Sequence, residues 1–383
     1  MPHPATPRKA LTSMAEGMII QFGTSRFLQA HFDFFAEEAR LGGQSVPPIV
    51  VVQSSGASAR RGRVPALSAP AGYPVEIRGI EAGAPVSRTF QVHSISKGFC
   101  LPDDWDSLCQ LFVQNAGWVV SNTSDAGYIV APAEIVDLKG ASPAPSFPGK
   151  LAQLLHMRYA AGGAPPVMLP CELISRNGEI LRALICEIAQ RSDAEPGFFP
   201  WIESAIFTNS LVDRIVSEAI EPAGAIAEPY ALWAIEATPG LQLPFTPPDI
   251  RVVRDLELFE RLKLHILNLG HTVLADIWLT ENRPARETVR AILTDHAVRA
   301  KLESIYHDEI MPGFAAHDLA DEAKAYIDVT MQRFLNPFLD HHIADIAENH
   351  LIKIKRRIDA FMSWAQTPAP LLARIAAQRE LSP

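Results

Sequence analysis

The chain changes texture near Pro248, and no other feature limits its fold as much. Before that point, short apolar runs alternate with longer amphipathic stretches. Met18-Ile19-Ile20-Gln21-Phe22, Ile49-Val50-Val51-Val52, Trp118-Val119-Val120 and Val167-Met168-Leu169 each read as strands. A continuous apolar run bounded by turn residues suits a strand covered on both faces. A helical stretch over about 25–40 separates the first two. Strands alternating with helices imply a parallel sheet joined by right-handed crossovers. After Pro248 strand-like runs vanish, and a 3.6-residue period covers 256–279, 286–306, 319–334 and 340–364. The prolines and glycine between Pro239 and Pro248 mark the change. The fold class expected is therefore α/β: a parallel-sheet domain over residues 1–248, then an all-helical domain over 249–383. Two domains suit a chain of 383 residues. There is no internal repeat, and the one low-complexity segment, 141–148, reads as a loop.

Composition excludes several classes. The net charge is -9 and no Lys/Arg-rich run stands out, so there is no electrostatic footprint for nucleic acid. Lys353, Lys355, Arg356 and Arg357 alternate with isoleucines and read as the wet face of an amphipathic helix. The four cysteines, Cys100, Cys109, Cys171 and Cys186, show no C-x-x-C spacing, which argues against a zinc or thioredoxin-like site. No metal is expected. Residues 1–17 hold no apolar leader, and no run of about 18 uninterrupted apolar residues spans a membrane. A cytoplasmic protein without a membrane or nucleic-acid partner is expected, as a monomer or homodimer.

The first strand runs into Gly23-Thr24-Ser25-Arg26-Phe27. A strand, a glycine turn and a helix start form the layout of a dinucleotide site. The turn lets the backbone approach a pyrophosphate, and the helix start offers free N–H groups. Only one glycine of the G-x-G-x-x-G pattern is present, so any βα turn is an equal reading. The second strand ends at Gln53-Ser54-Ser55. An Asp or Glu that would bind a ribose 2′-hydroxyl is missing there. Gln53 or Ser54 could take that role; Arg60, Arg61 and Arg63 could instead meet a 2′-phosphate, or simply be a solvated loop. The choice between NAD and NADP stays open.

The stretch from Leu262 to Leu279 is apolar almost all round its helical axis, the mark of a buried helix. Lys263, Asn268 and His271 nonetheless fall within one arc of about 140° on an α-helix. A buried lysine is costly unless paired or neutralised. Tuned toward neutrality, it takes the proton from an alcohol as hydride leaves the carbon. Asn and His at that spacing hold the same oxygen. The alternative is a core helix whose polar residues are satisfied by backbone or water.

Six segments, in order, resemble the polyol-specific long-chain dehydrogenase/reductase family, which includes mannitol dehydrogenases, fructuronate reductases and tagaturonate reductases. Phe22 to His31 resembles its F-G-x-G-x-F-x-R-A-H turn. Ser121-Asn122-Thr123-Ser124-Asp125-Ala126-Gly127-Tyr128 is similar to S-x-T-x-x-G-Y. Pro170 to Gly178 resembles C-[DE]-x-x-x-x-N-G, and Asn209-Ser210-Leu211-Val212-Asp213-Arg214-Ile215 resembles N-x-x-V-D-R-I. Lys263 to His271 matches K-x-x-x-x-N-x-x-H, and Arg333-Phe334-Leu335-Asn336-Pro337 matches R-F-x-N-P. The resemblance implies a Rossmann-type domain and a helical C-terminal domain with a metal-free active site. Lys263 would be the general acid/base, and Asn268 and His271 would bind the reacting oxygen. Asp213 and Arg333 would lie near the substrate. Gly23, Thr24, Ser25, Arg26, Phe27, Gln53, Ser121, Asn122 and Thr123 would bind the cofactor, NAD in the first instance.

Departures accompany the match. Ser25 stands at the second glycine and Gln29 at the arginine. Leu173 stands where mannitol dehydrogenases carry an oxyanion-holding Asn, as in the tagaturonate-reductase-like branch; Asn177 is the candidate replacement. The expected reaction is oxidation of a hexitol to a ketose. The alternative within enzymes is hexuronate reduction of the tagaturonate or fructuronate type, for which Arg333 or Lys353 would meet the carboxylate. A non-catalytic sugar or nucleotide sensor is the alternative of another class.

Overall fold

The computed structural model describes residues 17–55, 62–81, 83–123 and 125–378. They form two units. One holds the chain up to Glu76, Thr89–Ala227 and Ala231–Leu256; the other holds Ile77–Arg88, Glu228–Tyr230 and the chain from Glu257 on.

The strands are β1 Met18–Phe22, β2 Ile49–Gln53, β3 Tyr73–Glu81, β4 Ala84–Val92, β5 Ile95–Cys100, β6 Ala116–Ser121, β7 Val167–Pro170, β8 Ser210–Asp213, β9 Val216–Ala219, β10 Ala225–Ala227, β11 Leu232–Glu236 and β12 Ile250–Val253. Five form a parallel sheet in the order β5-β2-β1-β6-β7. This is the Rossmann-type order, with its topological switch point between β1 and β6. All four apolar runs read from the sequence lie in it. β1, β2, β6 and β7 are buried at nearly every position, as strands covered on both faces must be.

Two smaller sheets follow the orders β4-β3-β10-β9 and β12-β11-β8. β3, with burial alternating along its length, carries Pro74 and Gly79 and offered no continuous apolar run. β12 lies beyond Pro248, so the expectation that strands end there is corrected: Ile250–Val253 pairs in parallel with β11. The helix expected over 25–40 is also broken. Arg26–Ala30 and Phe32–Leu41 meet at His31. The His31 ring stacks on Phe27 and packs on Phe35, and its Nε2 donates to Leu232 O at 3.0 Å.

The C-terminal unit is helical, apart from the hairpin end contributed by β3 and β4. Three of its helical runs contain a π turn among the described residues: Lys263–Asn268 between Glu257–Leu262 and Leu269–Thr280, Ile305–Ile310 after His296–Ser304, and Lys355–Asp359 between His350–Ile354 and Ala360–Ala365. Helix Ala320–Phe334 is regular. Among the described residues no helix is long and apolar enough to cross a membrane, and no cluster of side chains has metal-ligand geometry. None of the four cysteines, all among the described residues, is in a disulfide.

Candidate active site

In the N-terminal unit a cavity of about 900 Å³ opens at the carboxyl ends of the parallel strands. Gly23, Thr24, Ser25, Gln53, Asn122 and Thr123 line it. Gly23 has φ +128°, and a Cβ there would stand 3.0 Å from both Asn122 O and Leu28 Cδ1. Only glycine allows β1 to turn this tightly against the end of β6. Ser25 replaces the second glycine and caps the short helix, its hydroxyl accepting from Leu28 N at 3.2 Å and donating to Asn122 Oδ1 at 3.3 Å. The helix after the turn is only five residues long. An anion held here would rest on the turn's own N–H groups more than on a long dipole. A backbone cradle that a Cβ would fill, at the switch point of a parallel sheet, fits a dinucleotide pyrophosphate.

Not every cofactor residue named from the sequence reaches the cavity. Arg26 is exposed, Phe27 packs on His31, and Ser121 is buried, donating to Glu172 Oε2 at 3.1 Å. Glu172 also accepts from Thr123 N and Oγ1 and from Tyr128 OH, at 3.0–3.1 Å. Burial raises its pKa and these hydrogen bonds oppose the rise. Glu172 thus ties the loop after β6 to the loop after β7. Sequence reasoning missed it because its four donors come from 44–51 residues away. Gln53 Nε2 donates to Ser55 O. Arg63 donates to Thr24 O at 3.4 Å and pairs with Glu221 at 3.0 Å. Arg60 and Arg61 lie outside the described residues.

Asn177, named as a possible oxyanion holder, has another task. It is fully buried, its amide nitrogen donates to Pro170 O, Glu172 O and Ser210 O, and its Oδ1 accepts from Ser210 N. A carboxamide has two donors and two acceptor sites, so no N–H remains for a substrate. Asn177 locks β7 to β8. Leu173 lines the cavity and is 70% exposed. Asp213 is buried at the end of β8.

In the C-terminal unit Lys263 and Asn268 are the first and last residues of one π turn. The i→i+5 bonding of that turn is wider than an α turn. Residues five apart therefore lie more nearly above one another than the 140° arc of a regular helix allowed. The turn has a local cause. Tyr306 OH donates to Ile266 O at 3.0 Å, and Arg357 Nη1 donates to Asn268 O at 3.0 Å. These donors add to bonds within the helix, from Leu269 N–H to Ile266 O and from the Thr272 hydroxyl to Asn268 O at 2.9 Å. Tyr306 can reach in because residue 270 is glycine: a Cβ there would fall 2.0 Å from its hydroxyl.

Lys263 and Asn268 are half-buried, and the Asn268 amide has no hydrogen-bond partner among the described residues. His271 is buried with Nε2 unpartnered. Its ring centroid is 4.5 Å from that of Phe334 and 4.8 Å from that of His341. Burial, then the neighbouring charges of His341, Arg333, Arg357 and Lys353, hold its pKa well below the usual value. His271 is therefore neutral at pH 7, with one N–H to give. Arg333 is buried and paired with Glu228, Nη2 to Oε1 at 2.8 Å and Nε to both oxygens at 3.0 Å, and it lies over the Tyr230 ring. Its charge is already balanced, which removes it as the unmatched cation a carboxylate substrate needs. The basic run at 353–357 is not uniformly wet: Lys355 and Arg356 are exposed, but Lys353 and Arg357 are half-buried.

The chain as a whole is similar to known proteins. The family model described as the mannitol dehydrogenase Rossmann domain matches residues 17–243, and that of the mannitol dehydrogenase C-terminal domain matches 255–374. The altronate oxidoreductase of Bacillus subtilis is 30% identical over 383 residues, covering 93% of this chain and 77% of the relative. That of Klebsiella pneumoniae is 31% identical over 367 residues, covering 89% and 73%. Among solved structures, a D-sorbitol dehydrogenase in substrate-free form superposes with a TM-score of 0.73 at 20% identity, covering 91% of this chain and 76% of that one. The Pseudomonas fluorescens mannitol 2-dehydrogenase complex with NAD and D-mannitol gives 0.69 at 17% identity, covering 96% and 80%.

Proposed function

We propose, from the premise that this chain belongs to the mannitol dehydrogenase family, that it is an NAD-dependent oxidoreductase interconverting a hexonate of the altronate type and the corresponding keto acid. Membership in a family of dehydrogenases favours an enzyme over a sensor. The observation that carries the reading is the meeting of Lys263 and Asn268 on one π turn with His271 one turn on. The altronate oxidoreductases that align over most of the chain support an acid substrate over a neutral hexitol.

The cradle at Gly23, with Thr24, Ser25, Asn122 and Thr123, would hold the cofactor. When bound, the nicotinamide accepts or supplies the hydride. Lys263 takes the hydroxyl proton in the oxidative direction and returns it to the carbonyl oxygen in the reductive one. The Asn268 amide and the neutral His271 Nε2–H donate to the same oxygen as negative charge develops on it. Holding His271 neutral keeps it a donor rather than a competing acid. NAD rather than NADP is part of this reading; Arg63, one of the three arginines that could meet a 2′-phosphate, pairs with Glu221.

The test is absorbance at 340 nm with NAD+ and NADP+ against altronate, other hexonates and hexitols, and with NADH against tagaturonate and fructuronate. Turnover of altronate with NAD+ is expected. Turnover of hexitols alone would overturn the substrate reading, and silence across the panel in folded protein would overturn the reaction itself.

A further inference from the structure

The arginines of the helical unit differ in what balances them. Arg333 has Glu228, Arg283 has Glu281, Glu287 and Asp295, and Arg261 has Glu257. Among the described residues, half-buried Arg357 donates only to neutral oxygens, Asn268 O and Thr272 Oγ1, both from Nη1 and both at 3.0 Å. Its Nε and Nη2 make no hydrogen bond among the described residues. Lys353 is similar: its ammonium gives one bond, to Ile346 O at 2.7 Å, and among the described residues no carboxylate lies within ion-pair distance, Glu348 acting on it only as a nearby charge.

A purely structural arginine looks different. Arg158, in the other unit, also lacks a carboxylate, but it is 2% exposed and bonds three carbonyls, of Ala164, Phe112 and Val113, through Nε and Nη1. Arg357 spends one nitrogen on the π turn and leaves the Nε–Nη2 edge, the fork that fits a carboxylate with two parallel bonds. Its Nη1 sits on the carbonyl of Asn268, whose own amide is unpartnered. The unpartnered, nine-tenths buried Nε2 of His271 follows three residues on. Burial and Arg356 lower the Arg357 pKa to about 10, the sense expected where no anion compensates the charge.

We infer that Arg357, flanked by Lys353, is the receptor for the substrate's carboxylate and sets the preference for sugar acids over sugar alcohols. The inference rests on the hexonate reading above and adds the residue that enforces it. A hexonate carries its carboxylate and its reacting hydroxyl on one short chain, so an anion held at Arg357 also fixes which carbon lies by Asn268 and His271.

The test compares wild type with Arg357→Gln and Arg357→Lys, as full-length protein. The readout is the ratio of kcat/KM for altronate to kcat/KM for altritol. Loss of a charge-assisted bidentate contact should lower that ratio roughly 30-fold in the Gln variant, with a smaller drop in the Lys variant, which keeps the charge without the fork. An unchanged ratio in both overturns the inference while leaving the hexonate reading intact. NADH affinity, measured by fluorescence titration, separates a substrate carboxylate from a cofactor phosphate: a fall in NADH binding with an unchanged ratio assigns Arg357 to the cofactor and overturns the inference. If wild type turns over no hexonate, the reading in the previous section fails. Thermal shift with hexonate and cofactor then decides the second question: a hexonate shift abolished in the Gln variant upholds the receptor, and a wild type without such a shift overturns it. Should the Gln variant fail to fold, the Lys variant carries the comparison, and a wild-type ratio there overturns the proposal.

Discussion

Gly270→Ala isolates the packing that makes the π turn. On helix propensity alone the substitution should stabilise by about 1 kcal/mol. Against this, the new Cβ would stand 2.0 Å from Tyr306 Oη, 3.0 Å from its Cζ and 3.1 Å from Phe334 Cε2. Tyr306 must retreat, and its hydroxyl is the donor to Ile266 O. The buried Tyr306 hydroxyl left without its acceptor costs about 1–3 kcal/mol, and a methyl forced into a filled core about as much again. The net expectation is a loss of about 3 kcal/mol. Urea denaturation of Gly270→Ala, Tyr306→Phe and the double variant measures it. Removing the hydroxyl first relieves the worst contact, so the alanine should then cost about 1–2 kcal/mol less than it does alone. Turnover of the folded fraction should also fall, because a turn relaxing toward α geometry rotates Asn268 away from Lys263. Wild-type stability in Gly270→Ala, or strict additivity in the cycle, would refute the claim that Tyr306 and Gly270 together hold the turn open.

Lys263→Ala should lower turnover roughly 100-fold or more, as loss of a general acid/base does, while NADH titration shows nearly unchanged affinity; surviving activity would remove Lys263 from the chemistry. Asp33 is buried beside Tyr73 and Gln21, and burial raises its pKa to about 7. A carboxyl with a folded pKa above its unfolded value binds more protons folded than unfolded. Stability is therefore fullest below about pH 4 and falls as pH rises toward 7, with a slope of up to about 1.4 kcal/mol per pH unit from this group. Asp33→Asn should flatten that part of the stability profile, and an unaltered slope would count against a protonated Asp33. Glu228→Gln leaves Arg333 buried without its counter-charge and should destabilise by about 3–5 kcal/mol, read as a lowered denaturation midpoint; a neutral outcome would mean that water or another carboxylate takes over.

The parallel sheet was legible because its strands are covered on both faces, and burial writes itself into sequence as continuous runs such as Ile49-Val50-Val51-Val52. The peripheral strands were not. β3 buries alternate positions and tolerates Pro74, and β12 is four residues with Arg251 inside it. Neither produces a run, and their pairing depends on partners far along the chain. The break at His31 was equally hidden. Periodicity continues through it, and only the stacking of His31 on Phe27 and its bond to Leu232 O, 201 residues away, explain where the helix yields.

At the site, residue types were readable and their geometry was not. A lysine, an asparagine and a histidine in an apolar helix are expensive to bury, so their presence alone asks for a reason. Which of them share a face depends on the turn they occupy. That turn is set by Tyr306 and Arg357, 40 and 89 residues away from the carbonyls they hold. Charge balance has the same character. Arg333 looked like the substrate's cation because the sequence cannot show Glu228, 105 residues earlier, closing on it from within hydrogen-bond distance. Arg357 looked like one charge on a wet face because the sequence cannot show that its partners among the described residues are neutral. An arginine's availability to a ligand is set by what the fold has already given it. Read that way, the two residues exchange roles: Arg333 holds the fold around His271, and Arg357 retains a charge for something that binds.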